Sequence, residues 1–444
     1  MEWNTEWFVQ RLHDRSVRGL VRQLAALVQS GALPVGTRLP AIRDLAYALE
    51  ISPATVSIAW GQLRRRSMID GRGRSGMFVI GTSIAPRPVR RTASVGLAHM
   101  PFDLTSYTPD VTLLPSLASA FAAPDRTPNL NVNDDEAIVE SLRAVSADSW
   151  PYDAEDFMGC DGGYSGLYDT LHALVPPGSI VAVEDPTPMR VLDILDHLGA
   201  SILPVRSDLH GPMPDSLERV VARGAVAVYL HPGLNAVTGR TVPRSRLESL
   251  AAIMTAAPSA WIIEDDPLSR FNPFPSGSLG AWCPDRVVHI RSLSAFFGPD
   301  LRVGIISATA RIIREICAFR SFGPGCPSRL LQSAAAWMAG DAETTRIVAH
   351  ARQVYAQRRA CLAEALARLG HDAGPGCGFS LWLPVREQKA ALACLAHNGI
   401  RVTEGSKCSP SGQPHIRLSF SHLVSDQEWL AGHLVAAGLL TKEA

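Results

Sequence analysis

Apolar residues recur every three to four positions along residues 17–28, at Val17, Leu20, Val21, Leu24, Leu27 and Val28, and predict an amphipathic helix. Ser16 stands where it can cap that helix, and Gly31 closes it. After the turn Leu33–Pro40, a second short helix starting at Pro40 is expected to bury Ile42, Leu45, Ala46 and Leu49. Ser52-Pro53 opens a third, running to about Arg65, with Val56, Ala59, Trp60 and Leu63 inward. Two apolar runs, Met68-Ile69 and Met77–Ile80, flank Gly71-Arg72-Gly73-Arg74-Ser75-Gly76 and predict a glycine-tipped hairpin. Residues 81–100 are basic, proline-rich and without period, as a linker would be. From Phe102 onward the pattern changes. Unbroken apolar runs at Ile180–Val183, Ala225–Leu230, Trp261–Ile263 and Val287–Ile290 predict buried strands, and helical stretches alternate with them. Long periodic helices follow from about Ser328, and a smaller α/β unit occupies about 371–444.

The pattern implies three segments: 1–80, a linker at 81–100, and an α/β domain over 101–444 of this 444-residue chain. Hydrophobic content of 46% and charged content of 19% describe an ordered protein. Net charge is zero, so contact with nucleic acid needs a local patch. Residues 1–80 supply one, with eleven arginines against six acids. The eight cysteines show neither Cys-x-x-Cys nor metal-ligand spacing and read as core residues in a reducing compartment, with no metal expected. The polar start Met1–Glu6 is unlike a signal peptide, and no apolar run reaches the ~18 residues of a membrane span. A cytoplasmic, nucleoid-associated protein is expected.

Helix, helix-turn-helix and basic hairpin, in that order, make a winged helix-turn-helix. Leu39–Ala46, Ser52–Val56 and Arg74–Val79 resemble the GntR family of bacterial transcription regulators. That resemblance implies double-stranded operator DNA as partner. It assigns DNA contacts to Arg43, Ser52, Thr55 and Ser57, and to Arg72, Arg74 and Ser75 in the wing. Pro53 departs from the arginine usual in the family and removes a donor. Arg64-Arg65-Arg66 could track phosphates or simply be solvated.

The α/β segment carries motifs in the order of fold-type I aminotransferases. Gly162-Gly163-Tyr164 would begin a helix, whose free amides suit a phosphate. Glu264-Asp265-Asp266 ends a strand, Ser292, Ser294 and Arg302 follow, and Arg417 stands in Ile416–Phe420. With the winged helix, these resemble the MocR subfamily of GntR regulators. The resemblance implies a mostly parallel sheet with helices on both faces, a small C-terminal subdomain and a homodimer. It implies that Asp265 meets a pyridine nitrogen, that Ser292, Ser294 and Arg302 hold phosphate, and that Arg417 binds a carboxylate.

One residue is missing from that set. Lysine occurs only at 389, 407 and 442, and Ala295 stands where the resemblance places the Schiff-base lysine. Codon bias toward arginine would deplete lysine too, but should spare a residue the chemistry needs. An alanine methyl forms no imine, so no catalytic residue is assigned. Pro188 and Pro267 replace expected tyrosines, Asn235 stands one place early, and a tyrosine is absent around Asn131–Asp134. A pocket recast for another, anionic effector is therefore favoured over one that keeps pyridoxal phosphate non-covalently, and no cofactor is assigned. An effector-independent dimer and a pyridoxal-phosphate enzyme are the alternatives. Lys407 reads as a solvated loop residue.

Overall fold

Ser16 Oγ accepts from Gly19 N and starts the helix Val17–Gln29, which buries Leu20, Val21, Leu24 and Val28. This helix and the other elements belong to a computed structural model describing residues 3–66, 68–71, 76–81, 88–90, 100–122, 136–323 and 325–441. Contacts divide the chain into two units, Met1–Thr92 and Ala93–Ala444. The linker expectation falls largely on residues 82–87 and 91–99, outside the described ones. So do Arg72, Arg74 and Ser75 of the wing, and the 131–134 stretch.

In the first unit the helices Ile42–Leu49 and Pro53–Arg65 bury Leu45, Ala46 and Leu49, and Val56, Ala59, Trp60 and Leu63. The second helix starts at Ile42 rather than Pro40, with Ala41 as an uncapped N-terminus. Strands Ile69–Gly71 and Met77–Val79 pair antiparallel. Two features escaped the periodicity. A five-residue helix, Thr5–Val9, inserts Phe8 into the core. The turn before the second helix also serves as a third lane of the hairpin, because Val79 N donates to Thr37 O and Leu39 N to Met77 O.

In the second unit an eight-stranded sheet runs in the spatial order 156–160, 304–308, 287–292, 261–266, 227–230, 180–185, 201–208, 211–212. The five strands from 287–292 to 201–208 are parallel, and 304–308 is antiparallel to both its neighbours. Strict alternation divides the central strands between two cores. Val181, Val183, Tyr229, Ile263, Val288 and Ile290 pack under helices on one face. Ala182, Val228, Leu230, Ile262 and Val287 pack under helices on the other. The polar residues of these strands therefore collect at their carboxyl ends, the edge where open α/β sheets bind ligands.

The smaller part is an antiparallel sheet of Ser380–Pro384, His415–Ser419 and Thr403–Glu404, with helices Gln388–His397 and Gln427–Ala436. It is not confined to about 371–444. Phe102–Asp103 pairs parallel with Ile400–Arg401, and Ser419 N donates to Leu104 O. A segment that sequence order assigns to the large part is thus held in the small one. The 27-residue helix Ala342–Arg368 anchors the far end of that segment: Tyr355 Oη accepts from Asp110 N at 2.9 Å, and Arg358 pairs with the Asp110 carboxylate at 2.8 Å.

Candidate effector pocket and nucleic-acid surface

The strand Asp156–Cys160 turns into the helix Gly163–Leu174 through Gly162, whose φ of 87° suits glycine. A Cβ on Gly163 would lie 3.0 Å from Ser292 Cβ, and one on Gly162 3.9 Å from both Ser294 Oγ and the Arg302 guanidinium. The helix start, two hydroxyls and one arginine therefore converge, with Arg302 anchored by donation to Asp161 O at 3.1 Å. Free helix amides and a guanidinium form an anion cup. Ala295 follows Ser294 in the short helix Ser294–Phe297 and packs, half-buried, against the core. It offers only a methyl.

Beside the cup, Asp265 is buried and accepts from Tyr229 Oη at 2.7 Å. Burial holds its carboxyl above the usual range, against the opposing influence of His231 and Tyr229. A polar chain continues from Tyr229 Oη to His231 Nε2 at 3.4 Å, and from His231 Nδ1 to Glu184 Oε2 at 3.1 Å. Glu184 Oε1 accepts from Asn235 Nδ2 at 2.7 Å, and Asn235 Oδ1 accepts from the amides of Val237 and Thr238. Asn235 is thus fully engaged in shaping the pocket wall. Tyr164, in the first turn of the helix Gly163–Leu174, lies under Arg190, whose guanidinium is 4.8 Å from its ring centroid.

Arg417 is 6% exposed, on the strand His415–Ser419. Its Nε and Nη2 donate to Ser380 Oγ at 3.2 and 3.1 Å, and Nη2 also donates to Ala236 O at 3.2 Å. Among the described residues no carboxylate forms an ion pair with it.

On the N-terminal unit, Ser52 Oγ caps the helix Pro53–Arg65 by accepting from Thr55 N at 3.1 Å, and it lies 2.9 Å from Thr55 Oγ1. Arg43 and Ser57 are exposed, Thr55 half-buried. Arg38 stands outside every motif of the sequence. It bridges to Phe78, and its guanidinium lies against Gly76 at the base of the hairpin.

Residues 104–431 match the class I and II aminotransferases, and residues 17–79 match the gntR family of bacterial regulatory proteins. Over 401 residues the chain is 32% identical to the vitamin B6 salvage pathway transcriptional repressor PtsJ of Salmonella typhimurium, covering 89% of this chain and 91% of that one. The chain belongs to the MocR-type GntR regulators. Two solved structures share the fold of its larger unit. One is an aspartate aminotransferase mutant of Thermus thermophilus, with TM-score 0.67 and 20% identity over 78% of this chain and 99% of that one. The other is the kynurenine aminotransferase of Pyrococcus horikoshii, with TM-score 0.68 and 20% identity over 76% and 92%.

The pocket of this MocR-type chain contains groups that its motifs did not announce: Tyr107, Tyr229, His231 and Ser380. Tyr229 and His231 alternate at the end of an apolar run, a signal that a strand end carries polar work. Tyr107 and Ser380 come from the small part and meet the pocket only through tertiary structure.

Two buried imidazoles make stability depend on pH. Burial alone would depress His231, but the Glu184 hydrogen bond and charge, with Asp265 and Asp266 near, hold it above its ordinary value. His289, between Glu264 at 2.7 Å and Asp266 at 3.6 Å, is raised in the same way against its own burial. A raised imidazole contributes stability that is complete below the unfolded value near 6.5 and is lost as pH rises through the folded value. Stability should therefore fall from neutral pH upward, with a limiting slope of about 1.4 kcal/mol per pH unit for each retained proton, and the thermal midpoint should fall with it. His289→Gln should flatten that fall, which differential scanning calorimetry across pH would read. A midpoint that rises over this range contradicts the assignment.

Proposed function

We propose that this regulator binds operator DNA as a cytoplasmic homodimer and that its aminotransferase unit, lacking transamination chemistry, holds an anionic effector without a covalent bond. The observation carrying this reading is the anion cup and buried Asp265 beside Ala295, in a chain with no lysine before Lys389. The polar set fits a phosphorylated pyridine. Helix amides, Ser292, Ser294 and Arg302 suit its phosphate, and Asp265 suits a protonated ring nitrogen. The set does not fit the covalent attachment that transamination requires. The 32% identity to a vitamin B6 salvage repressor favours a B6-vitamer 5′-phosphate as the effector class, reversing the preference for a different ligand that the lost tyrosines and lysine suggest by themselves.

Pyridoxamine 5′-phosphate is the suitable probe, since it carries no aldehyde. At a hundredfold excess over its Kd it should stabilise the full chain by about 2.7 kcal/mol. Arg302→Ala should lose most of that gain in a thermal-shift titration. No stabilisation of the native protein, or an equal gain in the variant, would remove the support for this reading.

A further inference from the structure

The carboxylate end of the pocket is filled by the protein itself. An arginine grips a carboxylate best through two parallel N–H donors. In Arg417 the Nε/Nη2 edge that would do so closes on Ser380 Oγ, and Nη2 is shared further with Ala236 O. One face of the guanidinium is covered as well. Its Cζ lies 4.2 Å from the ring centroid of Tyr107, a cation–π contact.

Tyr107 is not a loose loop residue. Its ring packs on Phe379 with centroids 4.6 Å apart. Three residues on, Asp110 is pinned by Arg358 and Tyr355. The Tyr107 hydroxyl is buried and, among the described residues, has no hydrogen-bond partner. An unmatched buried hydroxyl is costly, and such a group needs a physical reason. A ligand that supplies the missing partner is one. Asp265, Tyr164 and Arg417 all lie within electrostatic reach of this phenol, which places it on the pocket side of the small part.

We propose that Tyr107 is a specificity-determining residue: with Ser380 it occupies the carboxylate-binding side of Arg417, so the pocket takes a phosphorylated ring with one anionic group and refuses the same ring joined to an amino acid. The inference rests on the non-covalent effector reading above and narrows it. The regulator then responds to the free vitamer phosphate and ignores amino-acid adducts, whose carboxylate finds the Nε/Nη2 edge of Arg417 taken by Ser380 and the Tyr107 ring over one face of its guanidinium. It also replaces the two-ended pocket for a dianion, which Arg417 and the cup suggest from their positions alone, with a one-ended pocket.

Isothermal titration of the full chain with pyridoxamine 5′-phosphate and with N-(5′-phosphopyridoxyl)-L-alanine tests this. The native protein should prefer the first by at least about tenfold, equivalent to about 1.4 kcal/mol. Tyr107→Ala should narrow or reverse the preference by admitting the adduct. Ser380→Ala, which frees the fork without touching the ring packing, should shift the ratio the same way. Tyr107→Phe keeps the ring and should keep the preference while weakening both ligands. Equal native affinities for the two compounds would overturn the Tyr107 assignment and leave the effector reading intact, as would a ratio unmoved in both Tyr107→Ala and Ser380→Ala. If neither compound binds the native protein, the effector reading itself falls and this inference falls with it.

Discussion

Raising salt from 50 to 200 mM should weaken operator binding by about three orders of magnitude if each dimer contacts about six phosphates. The chain has zero net charge, so no overall field draws it to DNA. The attraction must come from the N-terminal unit, where eleven arginines oppose six acids within residues 1–80. Each phosphate neutralised contributes about 0.9 to the slope of log affinity against log salt. Arg43 is exposed and, among the described residues, engaged in no ion pair. Arg43→Ala should therefore lower affinity across sequences and reduce the slope by about one if it grips backbone. Arg64 differs, since Asp70 lies 3.8 Å away and already answers part of its charge. Thr55 changes should act on base preference, though Thr55 also shares the cap hydrogen bond with Ser52. Fluorescence anisotropy with labelled operator at several salt concentrations measures all of this. Salt-insensitive binding, or Arg43→Ala and Arg74→Ala variants that bind like the native protein, would show that the winged-helix contacts are wrongly assigned.

Much of the fold was legible because burial imposes a period. The helix Pro53–Arg65 buries the four residues its spacing predicts, and the four apolar runs all became central strands. The elements that escaped lack that signature. Ser201–Asp208 is a strand with Pro204 inside it, tolerated because little pairs with its outer edge beyond the short strand Gly211–Pro212. Gly304–Ala308 is a five-residue run too short to distinguish strand from loop, and its antiparallel insertion leaves no local mark. Asp156–Cys160 has two apolar residues in a row and otherwise small or polar ones.

The candidate site divides in the same way. Gly162 and Gly163 could be read as a helix start, while Ser292, Ser294 and Arg302 came only from the resemblance to fold-type I aminotransferases; the fold sets all five close together. What surrounds Arg417 was not readable. Ser380 and Tyr107 reach it from positions 37 residues before it on the paired strand and over 300 residues away. Neither has a local pattern that distinguishes it from an ordinary serine or tyrosine. The placement of Tyr107 depends on Phe102–Asp103 joining the small sheet, a pairing between distant segments that short-range periodicity does not encode.

The central claim is that this pocket binds without a covalent bond, and intact-mass spectrometry after pyridoxal 5′-phosphate and borohydride tests it most directly. Borohydride fixes an imine to whichever lysine formed it, and this chain has three: Lys389, Lys407 and Lys442. Lys389 and Lys407 belong to the small part, in the helix Gln388–His397 and the turn Gly405–Lys407. With the aldehyde equimolar to protein, the native chain should keep its unmodified mass. Ala295→Lys should gain one reduced adduct at position 295, because on the proposed reading the cup and Asp265 would hold the ring beside it. A stoichiometric adduct on the native chain, mapped to Lys407 or Lys389 and abolished by Arg302→Ala, would contradict the account.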